Sequence, residues 1–185
     1  NSPNDIPISS ESLQKFTDLR HIDLNSGNIL NLHHSCFKNN TKLDTIILQG
    51  KYFSYPDNFF QNHAYLKYIS IGYEEGKITI SNDTFKGCNE LIEFTVTKAK
   101  KLTLKDNCFD KAQKLKIVKL ASNIVEIESN CFKECQSLEK FMITNSRTTT
   151  IQSNQFDKCT NLKQISICVS SDGNLQHLFL KDKCF

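Results

Sequence analysis

The sequence predicts an α/β or mainly β solenoid of about seven repeats of 23–25 residues, stacked with parallel sheets in one domain over residues 1–185. Three observations predict it. An anchor residue recurs as Leu13, Phe37, Phe60, Phe85, Phe109, Phe132, Phe156 and Phe185, at separations of 24, 23, 25, 24, 23, 24 and 29 residues. Apolar residues follow each internal anchor six, nine and eleven places later, as Leu91, Phe94 and Val96 follow Phe85. Another apolar pair precedes each anchor by seven and five places, as Ile78 and Ile80 do, and only Thr149 breaks that row.

Apolar residues two apart with a polar residue between them describe a strand that buries one face. The first strand of each repeat follows the anchor and carries Ile22/Leu24, Ile46/Leu48, Ile69/Ile71, Phe94/Val96, Val118/Leu120, Phe141/Ile143 or Ile165/Ile167. The second strand precedes the next anchor and turns polar Asn31, Ser54, Thr79, Thr103, Glu126 or Thr150 outward. The segment around the anchor reads as a short helix or a tight helical turn, since Ser, Asn or Asp precedes it and a polar run such as Lys86 to Asn89 follows. The anchor side chain then plugs the interior.

One such repeat buries too little to offset the entropy of ordering it, so the coils must stack and share a core. The absence of a Pro- or Gly-rich linker fits a single domain. The longest gap, through Ser170, Ser171, Asp172, Gly173 and Asn174, reads as an enlarged surface loop.

The block Ile80-Ser-Asn-Asp-Thr-Phe85-Lys-Gly-Cys88-Asn-Glu-Leu91-Ile-Glu-Phe94-Thr-Val96, echoed from Ile151 to Ile167, resembles the BspA-like leucine-rich repeat of bacterial and protist surface proteins. The resemblance runs through nearly the whole chain, departing where Leu13 replaces Phe and where His63 stands in place of the Cys three after the anchor. It implies a right-handed leucine-rich repeat coil and a non-enzymatic binding protein, displayed at a cell surface or secreted and used for adhesion to a host or matrix protein. Fold alone does not establish that function.

A net charge of +3 without a basic patch interleaved with aromatics argues against nucleic acid, and the run Lys98, Lys100, Lys101 reads as a solvated loop. No apolar stretch is long enough to span a bilayer. The opening Asn1, Ser2, Pro3 and the stop at Phe185 are the expectation for a piece of a longer chain, whose incomplete last repeat would leave a sheet edge open to self-association. Abundant Lys, Asn, Ile and Phe fit an AT-rich genome, in keeping with a protist.

Eight cysteines follow the repeat. Cys36, Cys108, Cys131 and Cys184 sit one before an anchor, and Cys88, Cys135 and Cys159 three after. Equivalent slots hold Ser12, Thr84 and Ala112, which suggests a demand for small residues and packed free thiols in preference to disulfides. The rival reading puts Cys131 and Cys135 on one helical face, within reach of a cysteine in the next coil. Zinc is disfavoured because no second close Cys or His pair accompanies them. Cys168 is expected just after a strand, exposed. Two sequons, at Asn39 and Asn82, lie on the expected outer turns and permit glycosylation.

Residues eight and ten after each anchor form two outward columns on the main sheet: His21, Thr45, Tyr68, Glu93, Ile117, Lys140, Gln164; and Asp23, Ile47, Ser70, Thr95, Lys119, Met142, Ser166. Outward Tyr68, Ile47, Ile117 and Met142 suit an interface centre better than a plain solvent face. The candidate ligand-binding residues are therefore Ile47, Tyr68, Glu93, Ile117, Lys119, Lys140 and Met142. The histidines, His21, His33, His34, His63 and His177, occupy different slots, and no catalytic, metal or phosphate-binding motif is present, so neither enzyme chemistry nor a cofactor is expected. The function expected is a protein-binding module at a cell surface or in secretions. The alternative is an intracellular scaffold or regulator in the cytoplasm that uses the same face.

Overall fold

A computed structural model describes residues 6–8, 11–25, 29–33, 36–50, 52–54, 59–82, 84–85, 87–109, 112–169 and 177–181. Among the described residues thirteen strands follow one another: β1 Ile6–Ile8, β2 His21–Asn25, β3 Ile29–Leu32, β4 Thr45–Gly50, β5 Tyr52–Ser54, β6 Tyr68–Ile80 and β7 Glu93–Leu104. They continue as β8 Ile117–Ala121, β9 Ile124–Ile127, β10 Lys140–Ser146, β11 Thr148–Ile151, β12 Gln164–Val169 and β13 His177–Leu180. Among the described residues there is no helix, and the strand pairings are parallel. The chain is a parallel β-solenoid.

Two ladders result. The main one runs β2-β4-β6-β7-β8-β10-β12. The second is split between a three-stranded sheet, β1-β3-β5, and a run in which the later halves of β6 and β7 pair and continue through β9, β11 and β13. The long β6 and β7 serve both ladders, with register shifts between them at Ile71/Gly72 and Tyr73/Lys77. The run Lys98, Lys100, Lys101 thus lies inside β7, a correction to the loop expected there. A shift of phase along β7 accompanies it: the inward positions run Phe94 and Val96, then Ala99, then Leu102 and Leu104, while the lysine heads stay at the surface.

Register follows the repeat. Ile22, Ile46, Ile69, Phe94, Val118, Phe141 and Ile165 stand opposite one another across the main ladder, as do Leu24, Leu48, Ile71, Val96, Leu120, Ile143 and Ile167. Anchor rings stack between coils, with centroids 5.6 Å apart for Phe60–Phe85, 5.0 Å for Phe85–Phe109, 5.2 Å for Phe109–Phe132 and 5.8 Å for Phe132–Phe156. Phe94 and Phe141 each meet two successive anchors edge-on. The rings thereby knit coils together with favourable quadrupole geometry as well as burial. In the last strands of both ladders the same slots open, with Ile165 39% and Leu178 40% exposed, because no described coil stacks over them.

The anchor segment is a pair of consecutive turns, so the helical half of the expectation is corrected. Cys88 N donates to Phe85 O at 3.0 Å and Leu91 N to Cys88 O at 3.1 Å, a pattern repeated at Asn40/Leu43, His63/Leu66, Ala112/Leu115, Cys135/Leu138 and Cys159/Leu162. Left-handed residues bracket the anchor: Asn107, Asn130 and Asn154 two before it, and Asn62, Gly87, Glu134 and Lys158 two after. A left-handed residue on each side stops a right-handed helix from propagating.

Two further expectations shift. Thr103 is only 8% exposed, since the Glu126 carboxylate, itself held by Lys101 at 2.7 Å, accepts its hydroxyl at 3.3 Å and covers it. Thr149, the polar exception in the inward row, is fully buried and donates to Ser146 Oγ at 3.0 Å. Anchor Phe185, Cys184, His34, the loop through Ser170 to Asn174 and the side chains of Phe53, Ser54 and Tyr55 lie outside the described residues.

Candidate functional site

The outward face of the main ladder brings the expected columns together in register. Across one row stand His21, Thr45, Tyr68, Glu93, Ile117, Lys140 and Gln164, and across the other Asp23, Ile47, Ser70, Thr95, Lys119, Met142 and Ser166. Parallel pairing sets neighbouring coils about 4.8 Å apart, so four coils bring residues distant in sequence into one small patch. Tyr68 is 44% exposed, whereas Ile47, Ile117 and Met142 are half-buried by their neighbours.

Between coils two and five the face dips into an open depression of about 280 Å³, lined by Thr45, Ile47, Tyr68, Ser70, Glu93, Thr95 and Lys119 together with Ile46 and Ile69. Ile47, Tyr68, Glu93 and Lys119 line it; Ile117, Lys140 and Met142 lie outside it on the same sheet, toward the last coils. Its polar rim is organised. Lys119 Nζ donates to Glu93 Oε1 at 2.7 Å, Thr95 Oγ1 donates to the same oxygen at 3.1 Å, and Thr45 Oγ1 donates to Asp44 Oδ1 at 2.8 Å.

The sequons are placed differently from each other. Asn39 and Thr41 are both exposed on a turn, while Asn82 is exposed but Thr84 is fully buried. His33 is exposed, and His63 is buried in the turn core.

The described cysteines, Cys36, Cys88, Cys108, Cys131, Cys135, Cys159 and Cys168, are free thiols. Cys168 is exposed within β12, not beyond it. Burial pushes the thiols of Cys36 and Cys88 up to about 12 and that of Cys159 to about 11, which keeps them protonated and unreactive. Among the described residues no group of three His, Cys, Asp or Glu side chains is placed to hold a metal, and no helix is long and apolar enough to cross a membrane.

Small size is not all that the cysteine slots share, because several of them also carry a hydrogen-bond donor. Three after five of the anchors, a polar side chain reaches back to the carbonyl of the preceding anchor, Phe16 and Ala112 being the exceptions. Asn40 Nδ2 donates to Leu13 O at 3.0 Å, Cys88 Sγ to Phe60 O at 3.0 Å, Cys135 Sγ to Phe109 O at 4.0 Å and Cys159 Sγ to Phe132 O at 3.0 Å, and His63 Nε2 lies 3.3 Å from Phe37 O. One before the anchor, Cys131 Sγ donates to Lys105 O at 3.0 Å and Gln155 Nε2 donates to Glu128 O. Ser12, in contrast, is exposed. Asn, His and Gln fit these slots because each brings a donor, while Phe59, Thr84 and Ala112 fill theirs without such a bond.

Surface ion pairs bind coils in the same one-period manner. Glu90–Lys114 (2.6 Å), Glu134–Lys158 (2.7 Å) and Glu139–Lys163 (3.0 Å) each join equivalent slots of successive coils, as does Asp18–Lys42. Lys158 and Lys163 hold the carboxyls of Glu134 and Glu139 below the usual range through these bonds. Exposed pairs of this kind contribute little individually.

A comparison with curated proteins finds no match. The model of the BspA type leucine rich repeat region matches in six copies, over residues 2–101 and 78–182. Leucine-rich repeat solenoids typically present an extended face to a protein partner. The chain belongs to the BspA-type leucine-rich repeat family.

Proposed function

We propose that this chain is a non-enzymatic adhesion module of a cell-surface or secreted protein, of protist origin, that binds a host or matrix protein through the outward face of the main ladder. One observation supports it above the others: half-exposed Tyr68 shares one outward row with Ile117, beside a second row that carries Ile47 and Met142, on the seven strands of the main ladder. Aromatics and Met are favoured at interface centres, and charged Glu93, Lys119 and Lys140 around them supply a polar rim. Exposed Asn39 offers a glycan position on a turn away from this face.

Two experiments test the reading. Tyr68→Glu and Met142→Glu should each abolish binding to an immobilised matrix protein while leaving the circular dichroism spectrum unchanged; binding that survives both removes the sheet face. Protease applied to intact source cells should digest the protein, and a protected protein overturns surface display. The free thiols of the seven described cysteines favour the second reading, an intracellular scaffold using the same face, because reducing compartments keep thiols unpaired.

A further inference from the structure

The depression beside Tyr68 has a hydrogen-bonding character of its own. The Thr45 hydroxyl proton is committed to Asp44 and the Thr95 hydroxyl proton to Glu93, so both threonine oxygens face a ligand as acceptors. Lys119 and Thr95 both bond Oε1 of Glu93, which leaves Oε2 as a further acceptor on an anionic group. Lys119 retains N–H donors beside it. The apolar part of the lining is the Tyr68 side chain, 44% exposed, together with half-buried Ile47. Acceptors on Thr45, Thr95 and Glu93 thus alternate with donors on Lys119, Ser70 and Tyr68 beside an aromatic ring.

Anions are disfavoured there by the Glu93 charge. A purely apolar side chain would leave the Thr45, Thr95 and Glu93 acceptors dehydrated and unpaired, at a cost. A polyol suits this lining: its hydroxyls donate to the separate acceptors, one bound at Glu93 can also accept from the neighbouring Lys119, and the C–H face of a pyranose carries the partial positive charge that the negative face of an aromatic ring attracts. The volume of about 280 Å³ lies at the lower end of small-molecule sites, which run to about 300–1,000 Å³, and suits one or two rings.

We propose that this depression is a saccharide site, taking one or two pyranose rings of a neutral glycan stacked on Tyr68 with their hydroxyls on Glu93, Thr45 and Thr95. It rests on the sheet-face reading above and narrows it: the protein partner is recognised through its carbohydrate.

The test is saturation-transfer NMR and titration calorimetry at millimolar concentration, with the methyl glycosides of glucose, galactose, mannose and N-acetylglucosamine and with lactose and chitobiose as probes. At least one probe should bind, with transfer concentrated on its ring C–H protons. Tyr68→Ala should weaken that binding at least about tenfold, Tyr68→Phe by less than about threefold, and Glu93→Gln by about tenfold. Absence of binding by all six probes, or binding indifferent to Tyr68→Ala and Glu93→Gln, overturns the proposal. A matrix protein that still binds after enzymatic deglycosylation, yet is lost on Tyr68→Glu, overturns it too and leaves the sheet-face reading standing. Saccharide binding that depends on Tyr68, beside protein binding that ignores both Tyr68 and Met142, supports the saccharide site and overturns the broader face.

Discussion

The Cys88 thiol donates to the Phe60 carbonyl oxygen at 3.0 Å, joining one coil to the coil before it inside the anchor turn. Removing the donor takes the shortest of this carbonyl's contacts and leaves it His63 N at 3.4 Å and the His63 Nδ1 position at 3.2 Å. Cys88→Ala should therefore cost about 1–3 kcal/mol of stability, and Cys88→Ser clearly less, because the hydroxyl restores a donor. Urea denaturation of the two variants measures the difference; equal losses would mean that sulfur volume alone matters.

Phe109 is fully buried between Phe85 and Phe132 and meets Phe94 edge-on at 5.1 Å. Phe109→Ala should destabilise by about 3–5 kcal/mol, the range for a large aromatic deleted from a packed core. Phe109→Leu should cost less but still lose both stacks. Equilibrium unfolding followed by far-ultraviolet circular dichroism reads both.

Gly87 and Lys158 occupy the same left-handed slot two after the anchor, with φ of 84° and 60°. A Cβ on Gly87 would meet Asn62 Oδ1 at 3.0 Å and Asn62 Cα at 3.3 Å, so Gly87→Ala should cost about 1–2 kcal/mol. Lys158→Gly should raise the melting temperature or leave it unchanged, even though it deletes the ion pair to Glu134. A fall would show that the pair outweighs the backbone strain.

His63 is buried in the anchor turn, its Nδ1 lying 3.2 Å from Phe60 O and its Nε2 3.3 Å from Phe37 O. Burial lowers its pKa below the ordinary 6.5, outweighing the neighbouring carbonyls, which favour the cation. The folded state thus prefers neutral imidazole. Its contribution is complete above about pH 6.5 and lost as pH falls below that value, because the unfolded chain takes up the proton first. His63→Gln should flatten this part of the stability profile between pH 7 and 5, as melting temperatures at fixed ionic strength would record.

Much of the fold was legible in the chain. Period and alternation placed Ile69, Phe94, Val118 and Phe141 inside, because in a solenoid every coil repeats the same inward and outward assignments. The turns were half legible. Asn at positions 107, 130 and 154 reads equally as a helix cap or a left-handed residue, and only the backbone distinguishes them. The donor slot carried a signal that was passed over: Asn40 and His63 are too large for a rule about size but share a polar N–H with the role of the Cys88 thiol.

By itself the sequence determined the coil, its core and the direction each side chain takes, since those depend on spacing within one period. Tertiary structure alone decided which outward residues meet and how they bond. Thr45, Tyr68, Glu93 and Lys119 vary independently from coil to coil, and their grouping into one depression depends on the register of four parallel strands. The Lys119–Glu93 bond crosses from one column to the other, a relation that no single repeat contains.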